Sequence, residues 1–209
     1  MDIEAFILIG GKSSRFGRDK ATFLFEGTTL TERTAETIRN AFPSAGTTLV
    51  AADDAQFSAY PGLGHKFPFI FDTHKGRGPL GAIHAALAHA RTDWAFIVAC
   101  DFPFISSGLL RRLAGVRSSE DDAIIPIQPD GMIQPLCGLW RVERCLPVVS
   151  QILESSGWTP SATSVLEQIQ TRLVPFGELA DLPGAEKLFV NINKPSDLAA
   201  PTLISDSSV

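Results

Sequence analysis

Short apolar runs recur along the chain, over residues 5–9, 48–51, 67–71, 94–99, 123–127 and 136–140. Each is too short for a buried helix, and their β-branched and aromatic content predicts strands. Between several of them the apolar positions take a helical period. One such stretch opens at Thr28 and Thr29, with Glu32 close behind as a capping carboxylate, and runs to about residue 42 before Pro43 stops it. A second covers 79–91, with Pro79 in the first turn, where its missing N–H does no harm. Residues 106–114, 142–155 and 161–170 are further predicted helices.

Alternating strands and helices, with strands apolar almost throughout, predict an α/β fold: a mostly parallel central sheet with helices on both faces. The later strands follow one another too closely for helical crossovers, which predicts an antiparallel edge. No repeat, low-complexity block or linker interrupts the pattern. The expected organisation is one domain over 1–200 and a short polar tail over 201–209. In open sheets of this kind ligands bind outside the carboxyl ends of the strands. That rule selects the loops at 10–20, 72–80 and 100–105, and whatever follows Trp140, as the places to look for chemistry.

Composition narrows the options. Of 209 residues, 44% are apolar and 20% charged, with a formal net charge of −5, so bulk charge gives no reason to expect nucleic-acid binding. A small anion is still admissible, because a local nest of amides holds phosphate in an acidic protein. The start of the chain carries acid where a signal peptide would carry positive charge. No apolar stretch approaches the ~20 residues of a membrane span. Cys100, Cys137 and Cys145 suit neither a disulfide framework nor a zinc pattern, so reduced thiols in a cytoplasmic protein are expected.

The loop after the first strand carries the densest chemistry. Gly10 and Gly11 follow Ile9 and leave room for a ligand against the backbone. Lys12, Ser13, Ser14 and Arg15 then supply consecutive amides, two hydroxyls and a guanidinium, and Lys20 closes the stretch. That set suits a polyphosphate, although a glycine-rich surface turn has the same composition. The P-loop pattern fails, because counted from Gly10 it meets Phe16 where its lysine belongs, and Lys20 is not followed by Ser or Thr. A literal G-x-G-x-x-G does occur at Gly76, Gly78 and Gly81, which raises a hydride-transfer enzyme as a rival. Against it, residues 72–75 separate those glycines from the strand, and Pro79 removes an amide where pyrophosphate would want one.

Asp101 follows directly on an apolar strand and points toward the same crevice. Mg²⁺ keeps waters and uses one or two carboxylates with substrate phosphates, which makes Asp101 the best metal-ligand candidate in the chain. The four histidines, His65, His74, His84 and His89, suggest no metal cluster.

The eleven-residue pattern G-G-x-S-x-R-x-G-x-x-K, Gly10 to Lys20, resembles the signature of nucleotidyltransferases, and most of all the molybdenum cofactor guanylyltransferases. Three further segments share the resemblance: Asp72 through Leu87 with its G-P-L-G, C-D-F-P-F from Cys100, and "QPLCGLW" with "VNINKPSDL". It implies a Rossmann-like fold and transfer of GMP from GTP to molybdenum-bearing molybdopterin, releasing pyrophosphate. It implies a site in which Ile9, Gly10, Gly11, Lys12 and Ser13 cradle the phosphates while Arg15 and Lys20 offset their charge. Asp72, Gly78 and Pro79 would frame the nucleoside, and Asp101 would hold Mg²⁺. Gln134, Asn191 and Asn193 would face the acceptor. Transient contact with cofactor-insertion proteins or molybdoenzymes is a further implied partnership. Three positions depart from the family: Ala51-Ala52-Asp53 in place of an asparagine, Gln134 for histidine and Lys194 for threonine. The stretch 151–170 also lacks any basic residue. These keep open a GTP- or CTP-dependent transferase with another phosphorylated acceptor, and a non-catalytic nucleotide-binding homologue.

Overall fold

The computed structural model describes residues 2–10, 20–58, 60–155 and 160–192, with the backbone alone at 20 and 61. In chain order the elements are β1 (Ile3–Leu8), β2 (Leu24–Phe25), β3 (Thr28–Thr29), α1 (Leu30–Ala41), β4 (Thr47–Ala51), α2 (Asp54–Ser58), α3 (Pro61–Gly64) and β5 (Phe69–Phe71). They continue as α4 (Pro79–His89), β6 (Trp94–Ala99), α5 (Ser107–Gly115), β7 (Ala123–Pro126), β8 (Cys137–Arg141), α6 (Val142–Ser155), α7 (Thr163–Leu166) and β9 (Thr171–Val174).

The main sheet has the order β5-β4-β1-β6-β8-β7-β9. β1 lies parallel to both β4 and β6, with Leu8 level with Val50 on one side and Ala99 on the other. Successive side chains of β1 feed opposite cores. Ala5 and Ile7 pack under α1 and α5, whereas Phe6 and Leu8 pack under α4 and α6. A strand buried on both faces reads as a continuous apolar run, which is why β1 and β6 are plain in the sequence.

Local chemistry explains the helix starts. Thr29 is the N-cap of α1, its hydroxyl accepting from the Glu32 amide while the Glu32 carboxylate accepts from the Thr29 amide. Lys66 also pairs with Glu32. That ammonium, followed by the Thr29 hydrogen bonds, holds the Glu32 carboxyl down to about 2. Ser106 caps α5 through Leu109 N.

The sheet corrects two expectations. The antiparallel strand is β8, and it sits inside the sheet between β6 and β7 rather than at an edge. The chain leaves β7, turns back with Ile127 bridging Ile133, and the returning strand pairs on both sides. The edge is β9, parallel to β7. A helix was expected over 161–170, but only Thr163–Leu166 is helical. Buried Asp122 stops it: its amide donates to the Gln170 carbonyl and its carboxylate accepts the Gln170 amide at 3.0 Å. Thr171 Oγ1 then takes the Leu166 carbonyl, and the next residues enter the sheet. Tertiary pairing overrides local helical periodicity here.

Candidate active site

The parallel half of the sheet delivers its loops to one edge. Ile9 N donates to Val50 O, Cys100 N to Leu8 O and Asp72 N to Ala51 O, so the chain leaves β1, β4, β5 and β6 side by side. Gly10, Ala52, Asp72 and Asp101 therefore share that edge. Gly10 thus follows β1, Asp72 follows β5 and Asp101 follows β6, with β4 and β1 between the last two strands.

Gly10 is placed by close approach. A Cβ there would lie 3.3 Å from the Ala52 amide nitrogen, tighter than ordinary packing, so the backbone passes directly over the end of β4. Gln56 fastens the same point, donating from Nε2 to Ile9 O at 2.9 Å and accepting from Ala52 N at 2.7 Å. This residue was missed in the sequence. The signal was present: Asp53 caps α2 by accepting from Gln56 N, the Asp-x-x-Gln spacing of a capping box. Gly11, Lys12, Ser13 and Arg15 lie outside the described residues, as does Asn193. The backbone resumes at the 3₁₀ turn Lys20–Thr22.

Asp72 is half-buried at the end of β5, its Oδ1 accepting the His74 amide at 2.7 Å. Its carboxylate rests on the first turn of α4. A Cβ on Gly81 would stand 2.5 Å from Oδ1 and 2.6 Å from Oδ2, so glycine is the residue that admits it. Gly78, the N-cap, has φ +61° and ψ −152°, a conformation that suits glycine, and Pro79 begins the helix. Between β5 and α4 run residues 72–78, confirming that no tight strand-to-helix turn exists for a dinucleotide. Beneath Asp72, the His74 and His84 rings meet edge to face at 4.4 Å, and His84 Nε2 lies 3.1 Å from Ser150 Oγ. Burial, then His74, lowers the His84 pKa.

Asp101 is half-buried beyond β6. Its carbonyl accepts from Ile192 N at 3.2 Å, which brings Asn191 alongside, and Asn191 Oδ1 is buried without a hydrogen-bond partner among the described residues. Gln134 borders the same strand end. It sits in the β7–β8 connection, donating its amide to Pro126 O, while Leu136 O accepts from Ala99 N. Next to it, a cleft of about 320 Å³ opens between α7 and β9, lined by Ile133, Leu166, Glu167, Gln170 and Leu173 among others. No group of three or more metal-ligating side chains is found among the described residues. The Asp101 carboxylate and the Asn191 amide oxygen are hard donors of the kind a divalent ion shares with phosphate and water. Cys137 and Cys145 are buried, and burial raises both thiols to about 12, so neither is a nucleophile. No described helix is long and apolar enough to cross a membrane.

Comparison with known proteins agrees with this geometry. The MobA-like NTP transferase domain model matches residues 5–172. A molybdenum cofactor guanylyltransferase of Vibrio parahaemolyticus is 33% identical over 196 residues, 92% of this chain and 91% of that protein. One from Desulfosudis oleivorans is 29% identical, covering 94% and 92%. The crystal structure of molybdopterin-guanine dinucleotide biosynthesis protein A from Archaeoglobus fulgidus superposes with a TM-score of 0.77 at 26% identity, covering 94% of this chain and 95% of that one. With the matched segment running from β1 into β9, and relatives aligned over nearly their full length, this chain belongs to the MobA-like NTP transferase domain family.

Proposed function

We propose that the protein transfers GMP from GTP to the phosphate of molybdenum-bearing molybdopterin, forming the guanine dinucleotide cofactor and releasing pyrophosphate. The observation that supports this is the placement of Gly10, Asp72 and Asp101 at the carboxyl ends of the parallel strands, in a family of nucleotidyltransferases. Relatives named for guanylyl transfer over more than nine-tenths of the chain support the choice of GTP.

Each residue has a task in this scheme. The amides from Ile9 to Ser13 cradle the triphosphate, and Arg15 and Lys20 neutralise charge that grows on the α-phosphate and the leaving pyrophosphate. Asp72, in the frame made by Gly78 and Pro79, receives the nucleoside. Asp101, with the Asn191 side-chain amide on the segment hydrogen-bonded to it, would hold Mg²⁺, which would supply charge neutralisation at the phosphates. Gln134 and Asn193 orient the acceptor. An acceptor oxygen forms the new bond to the α-phosphorus as the bond to pyrophosphate breaks in line. The acceptor phosphate is already anionic near neutral pH, so no side chain needs to act as nucleophile or base.

A single domain over residues 1–200 with a polar tail at 201–209, residence in the cytoplasm and transient contact with molybdoenzymes complete the proposal. A second reading, transfer to a different phosphorylated acceptor, draws on one observation. The 151–170 stretch has no basic residue, and the cleft it borders presents Glu167. The deciding experiment supplies GTP with molybdopterin bearing molybdate and follows pyrophosphate release. Release that depends on the acceptor supports GMP transfer. GTP binding without release on this acceptor favours the second reading.

A further inference from the structure

The two loops assigned to phosphate and metal are not adjacent in sequence, and something must hold Lys20 and Asp101 at a fixed separation. The first turn of α1 touches both. Thr31, fully buried, donates its hydroxyl to Ala21 O at 2.9 Å, next to Lys20, and Leu30 N donates to Phe23 O. Two residues on, Arg33 Nε donates to Pro103 O at 2.8 Å, in the loop that begins with Asp101. The same guanidinium pairs with Glu26 at 2.9 Å and lies 4.9 Å over the Phe25 ring.

Apolar packing closes the arrangement. Phe25 meets Phe104 edge to face at 5.6 Å, so the β2–β3 hairpin rests on the Asp101 loop. Leu30 and Ile192 are both fully buried in a small cluster of their own, with Phe23 and Phe25 against them. Ile192 is the residue whose amide meets Asp101 O. The turn after the cradle, the metal-side loop and the closing segment thus converge on one helical turn, apart from the two main cores.

We infer that Thr31 and Arg33 are positioning residues that set the separation between Lys20 and Asp101, and so align the triphosphate for attack. Neither touches substrate; each acts through the loop it holds. The inference rests on the functional reading above. A shift of about 1 Å in reacting groups costs on the order of a hundredfold in rate, which is the scale on which such a clasp acts.

The test uses Thr31→Val, which keeps the branched shape and removes the hydroxyl, and Arg33→Met, which keeps an unbranched stem on a partly exposed side chain and so preserves folding. Thr31→Ser and Arg33→Lys are the conservative partners. Calorimetry compares GTP with GMP for every protein, and thermal unfolding is recorded alongside. Both disruptive variants are expected to lose affinity for GTP by about tenfold, on the scale of a misaligned binding site, while GMP affinity holds. Thr31→Ser should restore GTP binding, and the Thr31→Val/Arg33→Met pair should lose little more than either single change, because both break one clasp. Equal weakening for GTP and GMP, additive losses, or GTP binding unchanged in folded variants would overturn the inference. Wild-type protein that binds no GTP would instead overturn the functional reading, and this inference with it.

Discussion

The sheet divides into two halves built on different rules. On one side β5, β4, β1 and β6 run parallel, each joined to the next through helix. On the other, β8 runs against both neighbours and β9 closes the edge after α6 and the single turn of α7. The parallel half offers strand ends, backbone amides and one carboxylate per loop at Asp72 and Asp101. The mixed half offers side chains on a return loop, with Gln134 and the cleft beside β9. Triphosphate is recognised largely through backbone and charge, which a parallel edge supplies whatever the neighbouring side chains are. An acceptor is recognised through side-chain shape, so it can change while the nucleotide half stays the same. The departures from the family at Gln134 and across 151–170 fall in the mixed half, whereas Ala51-Ala52-Asp53 does not.

The largest effect should come from removing the charges assigned to the nucleotide half. Lys20→Ala or Asp101→Ala should lower the rate of pyrophosphate release by about a hundredfold to a thousandfold with thermal unfolding almost unchanged. Turnover equal to the parent in Lys20→Ala would sink its assignment. Next in size is Gly81→Ala, in which the new methyl displaces the Asp72 carboxylate. GTP affinity should fall about tenfold or more. In an Asp72→Ala background the same substitution should do almost nothing, since the atoms it strikes are gone. A Gly81→Ala effect that persists there would mean the glycine serves the helix and not the carboxylate.

Gln134→Ala probes the other half. It should raise the acceptor's KM several-fold, through the loss of about one hydrogen bond, and leave GTP binding by calorimetry as it was. Weakened GTP binding would show that the two halves are not separable. The smallest effect concerns α1. Glu32 titrates at about 2 in the fold against 4.5 ordinarily, so its stabilisation is complete above 4.5 and drains away as pH falls from there to 2. Lys66 is largely exposed and its share is screened. Glu32→Gln keeps the acceptor of the capping box and removes the charge, so it should cost about 0.5 kcal/mol at neutral pH through the lost charge at the helix start, and the difference in melting temperature should vanish below pH 2. A gap that survives at that pH would assign it to packing.

How much of this is visible in the sequence follows the same division. The strand at Trp94–Ala99 and the helix at Val142–Ser155 are predicted to the residue, because burial on both faces and a clean helical stripe are local patterns. Asp101 is found by its place after an apolar run. By contrast β9 is short and half-exposed, with Arg172 in its middle, and only its pairing with β7 and the pull of Asp122 make it a strand. The inward position of β8 depends on which strand it meets after turning, which no local pattern encodes. Gln56 was missed, and Gly81 was read only as part of a glycine motif, for a related reason. Their importance lies in atoms brought near by folding: the Ile9 carbonyl for one, the Asp72 carboxylate for the other. Of the cradle itself, Gly11 to Asp19 lies outside the described residues, so its assignment rests on the spacing of its motif.

The proposed role of the parallel edge is a GTP site that works through Asp101. Calorimetric titration with GTP, CTP, ATP and UTP in the presence of Mg²⁺, on the parent protein and Asp101→Ala, tests it directly. GTP should bind most tightly, and the substitution should weaken it. Preference for CTP, or GTP binding that Asp101→Ala leaves unchanged, would contradict it.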